Sequence, residues 1–167
     1  MTHYLVAALL TLSFIGHAHA GKAHVHGAGN LDVSIDKDQL TIALELPLDA
    51  AVGFEHAPAN AKEKSELDLR INALSNGVEL FVPTPAAGCV LQSATVSNPF
   101  KDGKASSAHA DIDAGYVFRC AKPAALKGFE TRIFNDFKRL YRLEVQRVGP
   151  SGQGKARLSP KQPALSW

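Results

Sequence analysis

Histidine is the residue type here with the clearest chemical purpose. The chain of 167 residues has seven, and His24, His26, His56 and His109 lie beyond the apolar N-terminal segment. His24-Val25-His26 is a His-x-His pair. Alternate side chains of an extended chain point the same way, so both imidazoles can clamp one ion. The plain alternative is two exposed histidines on a loose N-terminus. His109-Ala110-Asp111-Ile112-Asp113 places one imidazole and two carboxylates on one strand face. That donor mixture suits zinc, at roughly 2.0–2.2 Å per ligand atom. An all-oxygen calcium site needs more carboxylates in a tight loop. The plain alternative here is a polar face open to solvent. Glu55-His56 stands just before Pro58. His56 offers a third or fourth ligand and Glu55 a base beside the ion; alternatively the pair fixes a loop at a helix N-terminus, where a carboxylate is favoured. The candidate metal ligands are therefore His24, His26, His56, His109 and Asp111, with zinc as the ion. Imidazole must be neutral to ligate, so such binding is expected to fail as pH falls below about 6.5.

Other chemistries lack their signatures. There is no His-Glu-x-x-His, no G-x-S-x-G and no phosphate-binding glycine loop, so the chain is read as not an enzyme. A net charge of +2 is too small to mark a nucleic-acid partner. Arg132, Lys138, Arg139, Arg142 and Arg147 are interleaved with apolar residues, as on a solvated sheet.

Residues 4–15 form an apolar run of about a dozen, short of the roughly 20 that a membrane-crossing helix needs. Gly16-His17-Ala18-His19-Ala20 follows, with small residues placed for cleavage after Ala20. Residues 1–20 are therefore expected to be a removed signal peptide, 21–160 a single domain and 161–167 a loose tail. No later segment is apolar enough to span a membrane. Export, with an even cysteine count, favours a disulfide between Cys89 and Cys120 over free thiols serving as ligands or a redox pair.

The elements that position these residues read mainly as strands. Leu31, Val33 and Ile35 alternate with polar residues, as do Leu40, Ile42, Leu44 and Leu46, giving a hairpin turned at Lys37-Asp38 and ended by Pro47. Residues 48–59 read as irregular. A helix follows with Asn60 as cap, Glu63 completing a capping box, and Leu67, Ile71 and Leu74 as its apolar stripe. Asn76-Gly77 is expected to end it with Gly77 left-handed. Val78, Leu80 and Val82 then predict a strand, and further strands are predicted around Cys89–Val96, 112–118, 129–133, 143–148 and 155–158. The expected fold class is α+β: a predominantly antiparallel sheet, sandwich-like, with one main helix packed against it.

Several of these stretches together resemble a known family. They are His24-Val25-His26-Gly27 leading into Leu31-Asp32-Val33; Val52-Gly53-Phe54-Glu55-His56-Ala57-Pro58; His109 with Asp111; Tyr116 through Leu126; Arg142 through Gln146; and Gly152-Gln153-Gly154. The chain resembles the DUF2796 family, the ZrgA-like zinc-uptake proteins of the bacterial periplasm, over nearly all of its mature length. The resemblance implies a periplasmic zinc-binding protein that captures or delivers the ion for an uptake system component. It implies His24, His26, His56 and His109 as the matching positions. Members of the family often carry a long insertion rich in His, Asp and Glu before the strand near His109. Residues 98–108 are short here and contain no histidine, which implies fewer or weaker sites.

Two rival functions follow from the residues. One is a non-catalytic scaffold or partner-binding protein with incidental histidines and an available sheet edge. The other is a metal-dependent hydrolase with Glu55 as base, which needs an open coordination position beside a cleft. The protein is expected to be a monomer.

Overall fold

A computed structural model describes residues 25–101 and 110–167. Strand β1 (Ala28–Asp36) and strand β2 (Gln39–Pro47) form the expected hairpin, with Asp36 opposite Gln39. Lys37 takes a left-handed φ of 55° in the turn, where glycine would be the easier residue.

The hairpin lies at the centre of a six-stranded sheet. Strand β4 (Cys89–Val96) and strand β5 (Asp111–Cys120) extend it beyond β2. Strand β7 (Arg142–Gly149) and strand β8 (Gly152–Leu158) extend it beyond β1. The order is β4-β5-β2-β1-β7-β8. All neighbours are antiparallel except β1 and β7, which run parallel with Leu31 opposite Val145. This one parallel pair sits within an otherwise antiparallel sheet, as the expectation of a predominantly antiparallel sheet allows. It arises because the chain returns to the sheet centre only after a long excursion, a connection that local periodicity does not report.

Alternation decides which face is covered. Leu31, Val33, Ile42, Leu44, Ile112, Tyr116, Phe118, Leu143 and Val145 are buried on one face. Asp32, Ala43, Asp113 and Gln146 are exposed on the other. Helix α2 (Ala61–Ser75) packs on the covered side through Leu67 and Leu74, and the Tyr116 hydroxyl donates to the Leu74 carbonyl at 2.8 Å. A smaller sheet ordered β3-β6-β9 completes that layer, from strand β3 (Phe81–Pro83), strand β6 (Gly128–Thr131) and strand β9 (Ala164–Ser166). Phe81 links the layers, with its ring centroid 5.0 Å from Tyr116 and 5.7 Å from Phe129. The fold class is the expected mixture of a mostly antiparallel sheet and one main helix. Cys89 and Cys120 are bonded as a disulfide between directly opposed residues of β4 and β5. Among the described residues, no helix is long and apolar enough to cross a membrane.

The capping box is present: Asn60 Oδ1 accepts from the Glu63 N–H at 3.0 Å, and Glu63 reaches back to the Ala59 N–H at 2.8 Å. Four local expectations give way. Residues 48–59 contain a short helix α1 (Leu48–Val52). Gly77 is not a left-handed cap; it opens a helical turn, α3 (Gly77–Leu80), that replaces most of the expected strand. A side chain at Gly77 would strike the Tyr116 ring, so the glycine serves close packing. After β6 the expected alternation through Ile133 stops, and Ile133–Asp136 form helix α4. Residues 161–167 are not loose. Leu165 is buried opposite Phe129, and the Trp167 ring lies edge-on to the Phe129 ring at 6.4 Å.

Candidate metal centre

One end of the central hairpin gathers three donor groups. Val25 accepts a hydrogen bond from Ala28 N–H at 2.9 Å, closing a turn that carries His26 and Gly27 into β1. At the far end of β2, Pro47 leads into α1, whose first turn holds Asp49. Gly53, with a φ of 89°, stops α1 by donating to the Asp49 carbonyl at 2.9 Å, and the chain doubles back through Glu55. Because β1 and β2 are antiparallel neighbours, the start of one and the end of the other must meet.

His26 Nδ1 lies 3.0 Å from Asp49 Oδ2 and 3.5 Å from Glu55 Oε1. Donor atoms of all three residues fall within 4.8 Å of one another. Ligand atoms around a tetrahedral zinc, each roughly 2.0–2.1 Å from the ion, lie about 3.3 Å apart. The two measured separations bracket that edge. The side chains are 77% (His26), 18% (Asp49) and 29% (Glu55) exposed, so the cluster is rooted in the fold and open on the imidazole side. Asp49 Oδ2 also accepts from the Gly27 N–H at 3.2 Å, whereas Asp49 Oδ1 is buried with no hydrogen-bond partner among the described residues. A buried carboxylate oxygen without a donor is costly, and a cation is the simplest group to satisfy it. The mixed nitrogen and oxygen donors fit a borderline divalent ion such as zinc.

The candidates from sequence are only partly brought together. His26 is in the cluster. His24 and His109 lie outside the described residues. His56 follows Glu55 in the chain but is turned to another purpose. Its Nδ1 donates to the Ala57 carbonyl at 2.9 Å, and its ring stacks on Phe54 at 5.1 Å between centroids. Asp111 stands opposite Pro47 at the start of β5 and is not part of the three-donor group. Asp49 is a donor that sequence reasoning misses, since nothing in its spacing to His26 suggests contact; the only signal is its place just after a strand-ending proline. Glu55, read as a base beside an ion, sits among the ligand candidates themselves.

The open face of the large sheet carries two hollows, of about 520 and 580 Å³. Asp32, Thr41, Gln146 and Lys155 line the first, and Glu45 and Asp113 the second. Burial, then the neighbouring Glu45 charge, raise the Asp113 carboxyl above its ordinary pKa. The cluster at His26 lines neither hollow.

The fold and the cluster together define a one-sided sheet protein with one imidazole and two carboxylates gathered at one end. Residues 23–167 match the family model described as ZrgA family zinc uptake protein, and the chain belongs to that family. No curated protein matches the chain closely enough to count as a relative.

Proposed function

We propose that the protein is a periplasmic zinc-binding component of zinc uptake, which captures the ion at His26, Asp49 and Glu55 and passes it on. The observation that carries this reading is the convergence of three donor atoms within 4.8 Å. Membership of a zinc-uptake family supports it. The expected leader, residues 1–20, and the Cys89–Cys120 disulfide both agree with export to an oxidising compartment. Zinc is the cargo in this reading, held without chemical change. Three protein donors leave one tetrahedral position, for which His24 is the candidate from sequence, two residues before His26.

Calorimetric titration of the purified, disulfide-intact protein with zinc tests the proposal. Micromolar or tighter binding is expected, with His26→Ala weakening it at least about tenfold and His24→Ala to a smaller degree. His56→Ala is expected to leave affinity unchanged, since His56 Nδ1 is occupied by a backbone carbonyl. Binding no better than millimolar by the unmodified protein would overturn the reading.

A further inference from the structure

Resting on that cation site, we infer that Gly27 is its positioning residue: the left-handed turn at Gly27 presents Nδ1 of His26 to Asp49 and Glu55. Gly27 supplies no ligand atom, yet its backbone is tightly constrained. Its φ is +69°, a left-handed region that residues with a Cβ rarely adopt. A Cβ added there would lie 2.6 Å from two carbons of the Tyr141 ring and 2.7 Å from the Arg139 carbonyl oxygen.

The backbone of the turn is held at three points. The Gly27 N–H donates to Asp49 Oδ2 at 3.2 Å. The Gly27 carbonyl accepts from the Tyr141 N–H at 2.9 Å, and Val25 accepts from Ala28 N–H at 2.9 Å. The Tyr141 ring is steadied in turn by the Arg142 guanidinium, 5.4 Å from its centroid. The His26 side chain is 77% exposed, so packing cannot hold its ring. The turn beneath it sets where the side chain leaves the backbone, and a hydrogen bond between Nδ1 and Asp49 Oδ2 at 3.0 Å fixes its direction. That direction brings Nδ1 to 3.0 and 3.5 Å from the two carboxylates. The Gly27 N–H also fixes the Asp49 carboxylate, holding Oδ2 beside Nδ1 of His26. One glycine thereby orients two of the three donors.

The test compares zinc affinity by calorimetry in the unmodified chain, Gly27→Ala, Tyr141→Ala, His26→Ala and Leu165→Ala. Leu165 is buried in β9, on the smaller sheet, so its loss lowers stability without touching the site. Long-range proton–nitrogen spectra of the zinc-loaded chain add which imidazole nitrogen of His26 carries the metal. Expected are a fall of about tenfold to a hundredfold for Gly27→Ala, as for other groups that orient metal ligands, a smaller fall for Tyr141→Ala, no change for Leu165→Ala, and metal on Nδ1. Tyr141→Ala keeps the backbone intact and decides the matter if Gly27→Ala does not fold. Normal affinity in the folded Gly27 or Tyr141 variants, while His26→Ala abolishes binding, overturns the positioning role and leaves the site standing. Metal on Nε2 of His26 overturns it as well. No zinc binding by the unmodified chain overturns both readings.

Discussion

Asp49→Asn separates the two tasks of one carboxylate. Oδ2 accepts from the Gly27 N–H, and the asparagine oxygen can do the same. Oδ1 is buried without a donor, and an unmet buried charged acceptor costs the empty protein on the order of 1–3 kcal/mol. The amide removes the charge, so the metal-free variant is expected to equal the wild type or exceed it by up to about 1 kcal/mol. With zinc the order reverses. An ion at a hundredfold excess over its dissociation constant adds about 2.7 kcal/mol to the wild type. At roughly 2–4 °C per kcal/mol for a chain of this length, that is a rise of about 5–10 °C in Tm. The variant, with a neutral amide oxygen in place of the carboxylate and half the negative charge of the cluster, is expected to move by about a tenth of that shift. The assay is thermal unfolding by circular dichroism, with the disulfide intact, in chelator and in zinc. A full zinc-induced shift in the variant would place the ion elsewhere. A loss above about 2 kcal/mol in chelator would make Asp49 a structural residue and refute the reasoning from its unpaired oxygen.

Other expected outcomes concern the frame of the site. Tyr116→Phe keeps the ring but removes the donor to the Leu74 carbonyl, and should cost about 1–3 kcal/mol in urea unfolding; a loss under about 0.5 kcal/mol would mean that carbonyl finds another donor. Replacing Cys89 and Cys120 by alanine opens a link of sequence separation 31 and should lower stability by about 3–4 kcal/mol, read as an earlier urea midpoint at unchanged fold by circular dichroism. Asp113 has a raised folded pKa, so its ionised form is disfavoured in the native state; stability from this group is present at low pH and lost as pH rises through that folded value. Asp113→Asn should accordingly raise Tm at neutral pH, with the advantage shrinking to nothing in acid; an equal advantage at both pH values would deny that ionisation is the cause.

The sheet was legible because it is one-sided. Leu31, Val33, Leu40, Ile42, Leu44, Ile112, Tyr116 and Phe118 alternate with residues that face water, and a period of two in such a sheet has one reading. The capping box at Asn60 and Glu63 was legible for the same kind of reason: its donors and acceptors are three and four residues apart and need no tertiary context. Elsewhere the deciding contact was distant. Gly77 is glycine because of Tyr116, and the last residues are ordered because Leu165 pairs opposite Phe129. The parallel seam between β1 and β7 joins segments more than a hundred positions apart, and no local pattern carries that information.

The proposed cation site shows the same division. His26 was visible as half of His-x-His, but Asp49 lies 23 positions away and becomes its neighbour only when the hairpin closes. Its donors come from turns and a five-residue helix, where side-chain direction follows individual φ and ψ values and no periodic pattern exists to read. That origin bears on function. A structural zinc is closed by four protein donors, whereas here the described residues supply three, and the imidazole among them is 77% exposed. On the proposed reading, helix α1 and the chain that doubles back after it hold the two carboxylates beside His26 without an ion, and the exposed side leaves room for an acceptor to approach. If the proposed site binds zinc, prior assembly would lower the cost of capture and access from one side would permit transfer, a combination that suits an ion handed on better than one that is kept.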